Sequence, residues 1–313
     1  IIGMRFKTSF FSIYLYSCAE DNMCFCIKEL FGIYALFSVP KLMSFNPVMI
    51  KADPFFFVEN DILHLFYEEK RVFGPGKIKM IMTKDLKNWS TPKTVLKENF
   101  HLSFPFVFKC GTNYYMIPET EEDDSIRLYK SENEELTQWN LVNIILSATR
   151  TNSMQINYSD SCIWYKDGIY YLFTSQKCNG IYQLLLYMSK ELGGTYEPHP
   201  KSPICVSNRY GRNGGALFMH ADKLYRPSQD CSISYGANVS IHEIITLTTT
   251  EYEECLCMDD IVPREKDIYV SGGHHFNVTE YLGKYIIATD GKSDSVNLGS
   301  LLHKVWTLIH KMK

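Results

Sequence analysis

Carboxylates recur at two fixed positions of a sixteen-residue pattern that returns five times along the chain, at residues 53–68, 104–119, 160–175, 215–230 and 275–290. The first and last residues of the copies are Asp53 and Glu68, Phe104 and Glu119, Asp160 and Ser175, Gly215 and Asp230, and His275 and Asp290. Six of these ten residues are carboxylates. Repulsion among clustered carboxylates raises some of their pKa values, so one site can hold both a general acid and a general base. The pattern predicts acid–base chemistry, unless these residues are merely the solvated ends of repeated strands.

Other specialised side chains lie close to the same positions in the sequence. They are His101, Ser103, Arg209, Arg212, Arg226, Gln229 and His274. The planar fork of an arginine suits a carboxylate or a phosphate, and histidine exchanges protons near neutral pH. Such residues are not needed at solvated strand ends, so their presence favours a functional site over a purely structural repeat.

The elements that must position these residues are β-hairpins. Each copy has an apolar or aromatic run, a turn near its middle such as Asn60-Asp61 or Asp167-Gly168, and a second apolar run. The copies start 51, 56, 55 and 60 residues apart, and further β-like segments follow the hairpins. Four-stranded antiparallel units repeated radially form a propeller. The sequence therefore predicts an all-β fold, a five-bladed β-propeller of four-stranded antiparallel blades.

In such a propeller the first strand of each blade lines the central channel. The first and last residues of a hairpin lie side by side at its open end. All ten positions should therefore ring one mouth of the channel.

The predicted propeller occupies residues 45–300. Residues 1–44 form an irregular N-terminal extension that can supply the last strand of the fifth blade, and residues 301–313 form a short C-terminal amphipathic helix or a closing strand. Residues 4–19 have the basic, apolar, small order of a signal peptide, which would make the protein secreted. Their apolar part is short and rich in Tyr and Ser, which favours an edge strand instead.

Composition excludes some classes of function. A net charge of -3 provides no basic face for nucleic acid, and no apolar run is long enough for a transmembrane segment. The 10 cysteines include no CxxC pair, which indicates free thiols, a reducing compartment and hence a cytoplasmic protein. We expect a monomer.

Several motifs carry a resemblance to known families. ADPF at 52–55 and TKDLKNW at 83–89 resemble segments of five-bladed glycoside hydrolases of the arabinanase and β-xylosidase kind. A longer similarity, over most of residues 50 to 290, links the chain to the N-terminal propeller domain of plant glucosamine inositolphosphorylceramide transferases and its bacterial relatives. Its motifs are HLSFPFVF at 101–108, MIPE at 116–119, RPSQDCSISYG at 226–236 and GGHHFN at 272–277. Only 23 residues follow Asp290, so we expect this chain to lack the glycosyltransferase domain of the plant proteins.

The resemblance to the hydrolases implies catalytic roles. Asp53 matches the general base of blade one, and Asp160 stands where the hydrolases have a glutamic acid as general acid. Phe104 occupies the position of the aspartate that tunes this acid. Glu119, in the motif shared with the closer family, is the alternative acid. The separation of base and acid decides whether a water molecule fits between them and the sugar.

The remaining mouth residues are candidates for substrate binding. They are Glu68, His101, Arg212, Arg226, Gln229, Asp230, His274, His275 and Asp290. Arg226 and Gln229 would hold sugar hydroxyls or an anionic group of a glycan. The resemblance implies that His274 and His275 either bind a structural cation such as calcium on the channel axis or form the commoner hydrogen-bonded pair. His275 is the possible metal ligand, and no cofactor is required.

Two functions remain open after the sequence alone. The first is a carbohydrate-active, glycoside hydrolase-like protein that acts on or binds a glycan or a glycolipid head group at the channel mouth. The second is a non-catalytic glycan-recognition module that assists a partner glycosyltransferase in polysaccharide or glycolipid synthesis. The many carboxylates favour the first function, and the missing blade-two aspartate favours the second.

Overall fold

The computed structural model describes residues 8–19, 27, 30–37, 48–148, 150–151, 154–155, 157–263 and 269–295. The predicted tail at 301–313 lies outside the described residues. The strands are β1 (Thr8–Ala19), β2 (Phe31–Leu36), β3 (Val48–Glu59), β4 (Ile62–Arg71), β5 (Lys77–Thr83), β6 (Lys93–Leu96), β7 (Ser103–Cys110), β8 (Asn113–Glu119), β9 (Ser125–Ser131), β10 (Trp139–Ser147), β11 (Arg150–Thr151), β12 (Met154–Gln155), β13 (Ser159–Lys166), β14 (Ile169–Cys178), β15 (Ile181–Ser189), β16 (Glu197–Pro198), β17 (Cys205–Val206), β18 (Phe218–His220), β19 (Lys223–Asp230), β20 (Asn238–Leu247), β21 (Tyr252–Met258), β22 (Phe276–Glu280) and β23 (Lys284–Ser295). A short 3₁₀ turn spans Glu121–Asp123, and this part of the chain contains no α-helix.

The five predicted hairpins lie in four sheets, because the first and the last hairpin share one eight-stranded sheet, and we call each hairpin with its antiparallel neighbours a blade, numbered one to five. Blade one is β3-β4-β5-β6, blade two is β7-β8-β9-β10, and blade four is β18-β19-β20-β21. In blade three, β13, β14 and β15 are followed by the short strands β16 and β17, which both pair with β15. The predicted all-β class and the four-stranded antiparallel sheets are confirmed.

Blade five combines the two ends of the described chain. Its hairpin, β22 and β23, is extended by β1, which pairs antiparallel with β23 over the whole of Thr8–Ala19, and β2 pairs with β1 in turn. A single parallel pair, Phe11 with Ile50, joins β1 to blade one. The N-terminal strand therefore lies between the last hairpin and the first one, at the point where the sheets close on themselves.

The turns of the hairpins fix their registers. Asn60 and Asp61 both have positive φ, at 51° and 58°, the backbone of a type I′ turn whose twist matches the flanking strands. Ala221 and Asp222 have the same conformation, with φ of 47° and 60°. Because these turns have only two residues, each hairpin pairs as the sequence predicts, for example Glu59 with Ile62.

The core fills the seams between neighbouring sheets. Trp139 of blade two packs edge-on against Phe66 of blade one, with ring centroids 6.1 Å apart. Tyr252 of blade four contacts Phe173 of blade three in the same way, at 6.1 Å. These aromatic residues hold adjacent sheets at a fixed angle, so the inner strands carry the mouth residues on a rigid frame. No helix in the described ranges is long and apolar enough to cross a membrane.

Candidate functional site

The first residue of four of the five hairpins has an unusual backbone conformation. The φ angles are 52° at Asp53, 45° at Phe104, 50° at Asp160 and 152° at Gly215. Pairing skips at the same place: in blade one, Ala52 pairs with Glu68, and the next regular pair is Phe55 with Phe66. A β-bulge therefore opens each of the first three hairpins. Left-handed backbone costs about 1–2 kcal/mol for a residue such as Phe, and such strain is concentrated at functional sites.

The bulges aim backbone N–H groups at carboxylates of the preceding blade. The Asp53 N–H donates to Asp290 Oδ2 at 3.1 Å, and the Phe104 N–H donates to Asp53 Oδ2 at 3.1 Å. The Asp160 N–H donates to Glu119 Oε2, also at 3.1 Å. Three mouth carboxylates thus connect neighbouring blades around the channel, a structural role that exists beside any chemical one.

Gly215 shows why blade four carries no side chain at this position. A Cβ atom built on it would overlap the carbonyl oxygen of Phe276 in blade five. The two blades approach each other closely here, and the Phe276 N–H donates to the Gly214 carbonyl oxygen at 2.7 Å. Glycine is therefore required here by packing and by its φ.

Asp53, His274 and Asp290 form one buried charged cluster. His274 Nδ1 lies 2.7 Å from Asp290 Oδ2 and 3.7 Å from Asp53 Oδ1. Asp290 Oδ1 also accepts the backbone N–H groups of His274 and His275, at 2.8 and 3.1 Å. Each of these side chains is less than a tenth exposed.

Burial and charge separate the pKa values of the three groups. Burial would lower the pKa of His274, but the attraction of Asp290 overcomes it and raises the pKa to about 9. Burial would raise the pKa of Asp290, but the charge of His274 and its hydrogen bonds lower it. Burial raises the pKa of Asp53 to about 7, with repulsion from Asp290 and Asp160 adding to burial and His274 opposing it. At neutral pH the cluster therefore holds an ionised pair beside a carboxyl that is close to half protonated.

His275 is neutral and packs among aromatic rings. Its ring lies 4.6 Å from that of Phe55 and 5.4 Å from that of Phe104, edge-on in both cases. Burial lowers its pKa to about 4. Its Nδ1 is 3.7 Å from Asp53 Oδ1, which is too long for a hydrogen bond.

The ligand atoms that could hold a metal ion belong to Asp53, His274 and Asp290, which lie within 4.8 Å of one another. His274 would first have to lose the proton that Asp290 stabilises on it, because only a neutral imidazole coordinates a metal. The set therefore fits a cation only in competition with that proton.

A second buried cluster surrounds Asp160. Arg212 Nε donates to Asp160 Oδ2, Arg212 Nη2 lies 3.7 Å from Glu119 Oε2, and Gln229 Nε2 donates to Asp160 Oδ2 at 3.0 Å. Glu119 also accepts the Ser103 hydroxyl at 3.1 Å. Burial and repulsion from Asp160 raise the pKa of Glu119 well above its usual value, although Arg212 opposes the shift. Asp160 thus serves as the main partner of Arg212, and Glu119 lies at the edge of the same ion pair.

Glu68 and His101 form a third pair beside Asp53. The Gly76 N–H donates to His101 Nδ1 at 3.0 Å, which places the ring proton on Nε2, 3.3 Å from Glu68 Oε1. Burial lowers the pKa of His101 to about 3. Burial and the charge of Asp53 raise the pKa of Glu68 well above its usual value. His101 is therefore neutral near pH 7.

Two predicted binding residues have their partners outside these clusters. Arg226 is fully buried within blade four, where its Nε and Nη2 donate to Glu254 at 2.8 and 2.6 Å. Asp230 accepts the N–H and the hydroxyl of Ser232, at 2.7 and 2.6 Å, and lies 3.9 Å from Arg209. The structure therefore brings Asp53, Glu68, Glu119 and Asp160 to the mouth with their partners, but not Arg226.

Two aromatic residues at the mouth were missed by sequence reasoning. Tyr235 is 44% exposed, and its ring lies 5.0 Å from the Arg212 guanidinium carbon and 5.2 Å from the His274 ring. Phe11, from β1, stacks on the His274 ring, with the two ring centroids 4.5 Å apart. Tyr235 belongs to the RPSQDCSISYG motif, which was a usable signal. Phe11 could not be found, because its position depends on a strand contributed by the opposite end of the chain.

Sheets arranged in this way, with a carboxylate-lined mouth, define a β-propeller of the kind found in glycoside hydrolases. The chain aligns with the α-L-arabinanase of Cellvibrio cellulosa over 64% of this chain and 76% of that one, at 17% identity and a TM-score of 0.50. It aligns with the GH32 β-fructofuranosidase of Bombyx mori over 76% of this chain and 54% of that one, at 17% identity and a TM-score of 0.56. These likenesses confirm the predicted propeller fold.

The sequence defines the family more narrowly. Residues 39–292 match the family described as glucosamine inositolphosphorylceramide transferase 1, N-terminal, and the chain belongs to this family. Glucosamine inositolphosphorylceramide transferase 1 of Arabidopsis thaliana is 35% identical over 273 residues, which cover 83% of this chain and 34% of that protein. The chain thus spans about a third of the plant relative, and the resemblance inferred from HLSFPFVF, MIPE and GGHHFN is confirmed.

Proposed function

We propose that the channel mouth is a carbohydrate-processing site of the glycoside hydrolase type, with Asp53 as general base and Glu119 as general acid. The observation that carries the proposal is that two buried carboxyl groups, each beside Asp160, have raised pKa values. The pKa of Asp53 lies at about 7, while that of Glu119 is held well above its usual value. Carboxyl groups whose pKa values are raised by burial suit acid–base catalysis at neutral pH.

The chemistry can be written for these residues alone. Asp53 takes a proton from a water molecule, whose oxygen forms the new bond to the anomeric carbon. The glycosidic C–O bond breaks, and its electron pair stays on the leaving oxygen, which receives the Glu119 proton. Arg212 lies between Asp160 and Glu119 and keeps the Glu119 carboxyl group oriented. His274, already charged, stabilises the ionised form of Asp53.

The substrate we propose is a glycan or a glycolipid head group. Tyr235 offers an exposed ring beside Arg212, so one sugar face can pack on an aromatic surface while its hydroxyl groups meet charged partners. A cation such as calcium held by Asp53, His274 and Asp290 would add a charge that binds sugar hydroxyls. It would also lower the pKa of Asp53 and remove the proton of His274.

A second function has its own supporting observation. Asp160 is bound by Arg212 and Gln229, and Phe104 stands where a hydrolase has an aspartate. A mouth arranged in this way can hold a glycan without cleaving it and present it to a partner glycosyltransferase. We rank this recognition module second, because it gives no reason for burying Asp53 and Glu119 with raised pKa values.

Turnover and binding separate the two functions. Purified protein is screened for hydrolysis and binding on a panel of α- and β-linked glycans, together with Asp53→Asn and Glu119→Gln. We expect both variants to bind the substrate and to lose turnover by at least about a hundredfold, the usual contribution of acid–base catalysis. Binding without any turnover by the unaltered protein would establish the recognition module instead. Unchanged turnover in Asp53→Asn would refute the assigned base.

A further inference from the structure

The end of the propeller opposite the carboxylates also carries cavities. Asp160 and Tyr165 lie on the same strand, β13 (Ser159–Lys166), and five residues of strand separate them by about 16 Å. Tyr165 is therefore near the hairpin turns, on the face away from the mouth. It is 59% exposed, which is unusual for an aromatic residue on an inner strand.

The first cavity lies between blades two and three and has a volume of about 560 Å³. Aromatic rings dominate its lining: Phe106, Phe108, Trp164, Tyr165 and Tyr170. Its charged member, Lys109, is occupied by an ion pair with Glu59 at 2.6 Å. The remaining polar atoms are neutral, including the Tyr170 hydroxyl, 3.2 Å from the Cys110 sulfur.

The second cavity lies between blades three and four and has a volume of about 480 Å³. It shares Trp164 and Tyr165 with the first, so these two side chains form the wall between the cavities. Its lining is more polar and includes Asp222 and the ion pair of Lys223 with Glu243, at 3.0 Å. One lobe therefore offers ring faces, and the adjacent lobe offers hydrogen-bonding groups.

We propose that the two cavities form one groove that binds a neutral linear oligosaccharide across Tyr165, at a site separate from the channel mouth. The C–H face of a pyranose is apolar and packs on aromatic rings, whereas its hydroxyl groups need polar partners. The first lobe supplies the aromatic rings, and the adjacent second lobe supplies the polar partners. Each volume is within the range of small-ligand pockets. The second lobe holds two lysines, Lys166 and Lys223, and two carboxylates, Asp222 and Glu243, so its charges balance, which favours a neutral chain over a charged one.

The test uses the whole protein and a defined set of probes. Cello-, xylo-, manno- and malto-oligosaccharides of two to six units are titrated by calorimetry and by ligand-observed NMR. The variants are Tyr165→Ala, which removes the central ring, Tyr165→Phe, which keeps it, and Asp53→Asn, which alters only the mouth. Leu282→Ala is the matched control, because Leu282 is 58% exposed in a hairpin turn of blade five but lines neither cavity.

We expect at least one probe to bind, and Tyr165→Ala to weaken its affinity by about tenfold or more, the effect of losing one stacked ring. Tyr165→Phe, Leu282→Ala and Asp53→Asn should bind that probe like the unaltered protein. Tyr165→Ala should leave turnover at the mouth unchanged, so failure of the groove and failure of the proposed catalytic site give different results. The proposal is overturned if no probe binds at millimolar concentration, or if Tyr165→Ala binds as tightly as Leu282→Ala.

Discussion

Replacing Asp53 by asparagine should make the folded protein more stable at neutral pH, although it removes a residue placed at the centre of the site. Asn has nearly the shape of Asp, tolerates the left-handed backbone at φ of 52°, and can still accept the Phe104 N–H. Asn lacks the negative charge of Asp, which the folded protein must otherwise keep buried.

The magnitude follows from the raised pKa of Asp53, which moves from 3.8 in a free side chain to about 7 in the fold. Between these values the folded protein retains a proton that the unfolded chain has lost, so stability falls as pH rises through this window. Three pKa units correspond to about 4 kcal/mol. This net shift already includes the attraction of His274, so we expect a gain of up to about 4 kcal/mol above pH 7 and none below pH 4.

Urea denaturation of both proteins from pH 4 to pH 8 measures this difference. Asp290→Asn is the control with the opposite sign, because the pKa of Asp290 is lowered in the fold and its charge stabilises the protein above the unfolded pKa. Removing it leaves His274 unpaired and should cost about 3–5 kcal/mol at pH 7. Equal stability of Asp53→Asn and the unaltered protein at pH 8 would refute the claim that Asp53 bears a buried charge at an energetic cost.

Three further results are expected. Arg212→Ala should lower the free energy of unfolding by about 3–5 kcal/mol in urea, because it leaves buried carboxyl groups without their cation. Gly215→Ala should cost more than about 3 kcal/mol, since its Cβ meets a backbone carbonyl, whereas Gly111→Ala, with φ of 60° and open space around it, should cost only about 1 kcal/mol. If the mouth hydrolyses a glycan, its kcat should rise with pH as Asp53 loses its proton around pH 7; a rate independent of pH between 5 and 8 would contradict this role.

The hairpins could be predicted because their information is local. Alternating apolar residues and two-residue turns such as Asn60-Asp61 determine which residues pair, and the structure shows Glu59 opposite Ile62. The closing strand was harder to predict, since Ile13 pairs with Asp290 across almost the whole sequence. No local pattern specifies which edge such a strand joins, so only the possibility of a strand from the N-terminal extension could be stated.

The site was predictable in its residue types more than in its contacts. Gln229 reaches Asp160, whereas Arg226 turns to Glu254, and the reason was present in the sequence. Residues three apart on a strand point to opposite faces, so the two side chains could not both face the same side of β19 (Lys223–Asp230). The bulges that turn Phe104 into the left-handed region were not predictable, because Phe normally avoids that conformation.

The bulges also explain how one ring of residues can be structural and chemical at once. A carboxylate that accepts a backbone N–H from the next blade, as Asp53 does from Phe104, is fixed in position without needing a side-chain partner for that oxygen. Its other oxygen remains available, and in Asp53 it lies 3.7 Å from both His274 and His275. Asp290 differs because both of its oxygens are already engaged by N–H groups and His274. A proton acceptor must have an oxygen that is not already bound, and this distinction, rather than burial alone, separates Asp53 from Asp290 as the base.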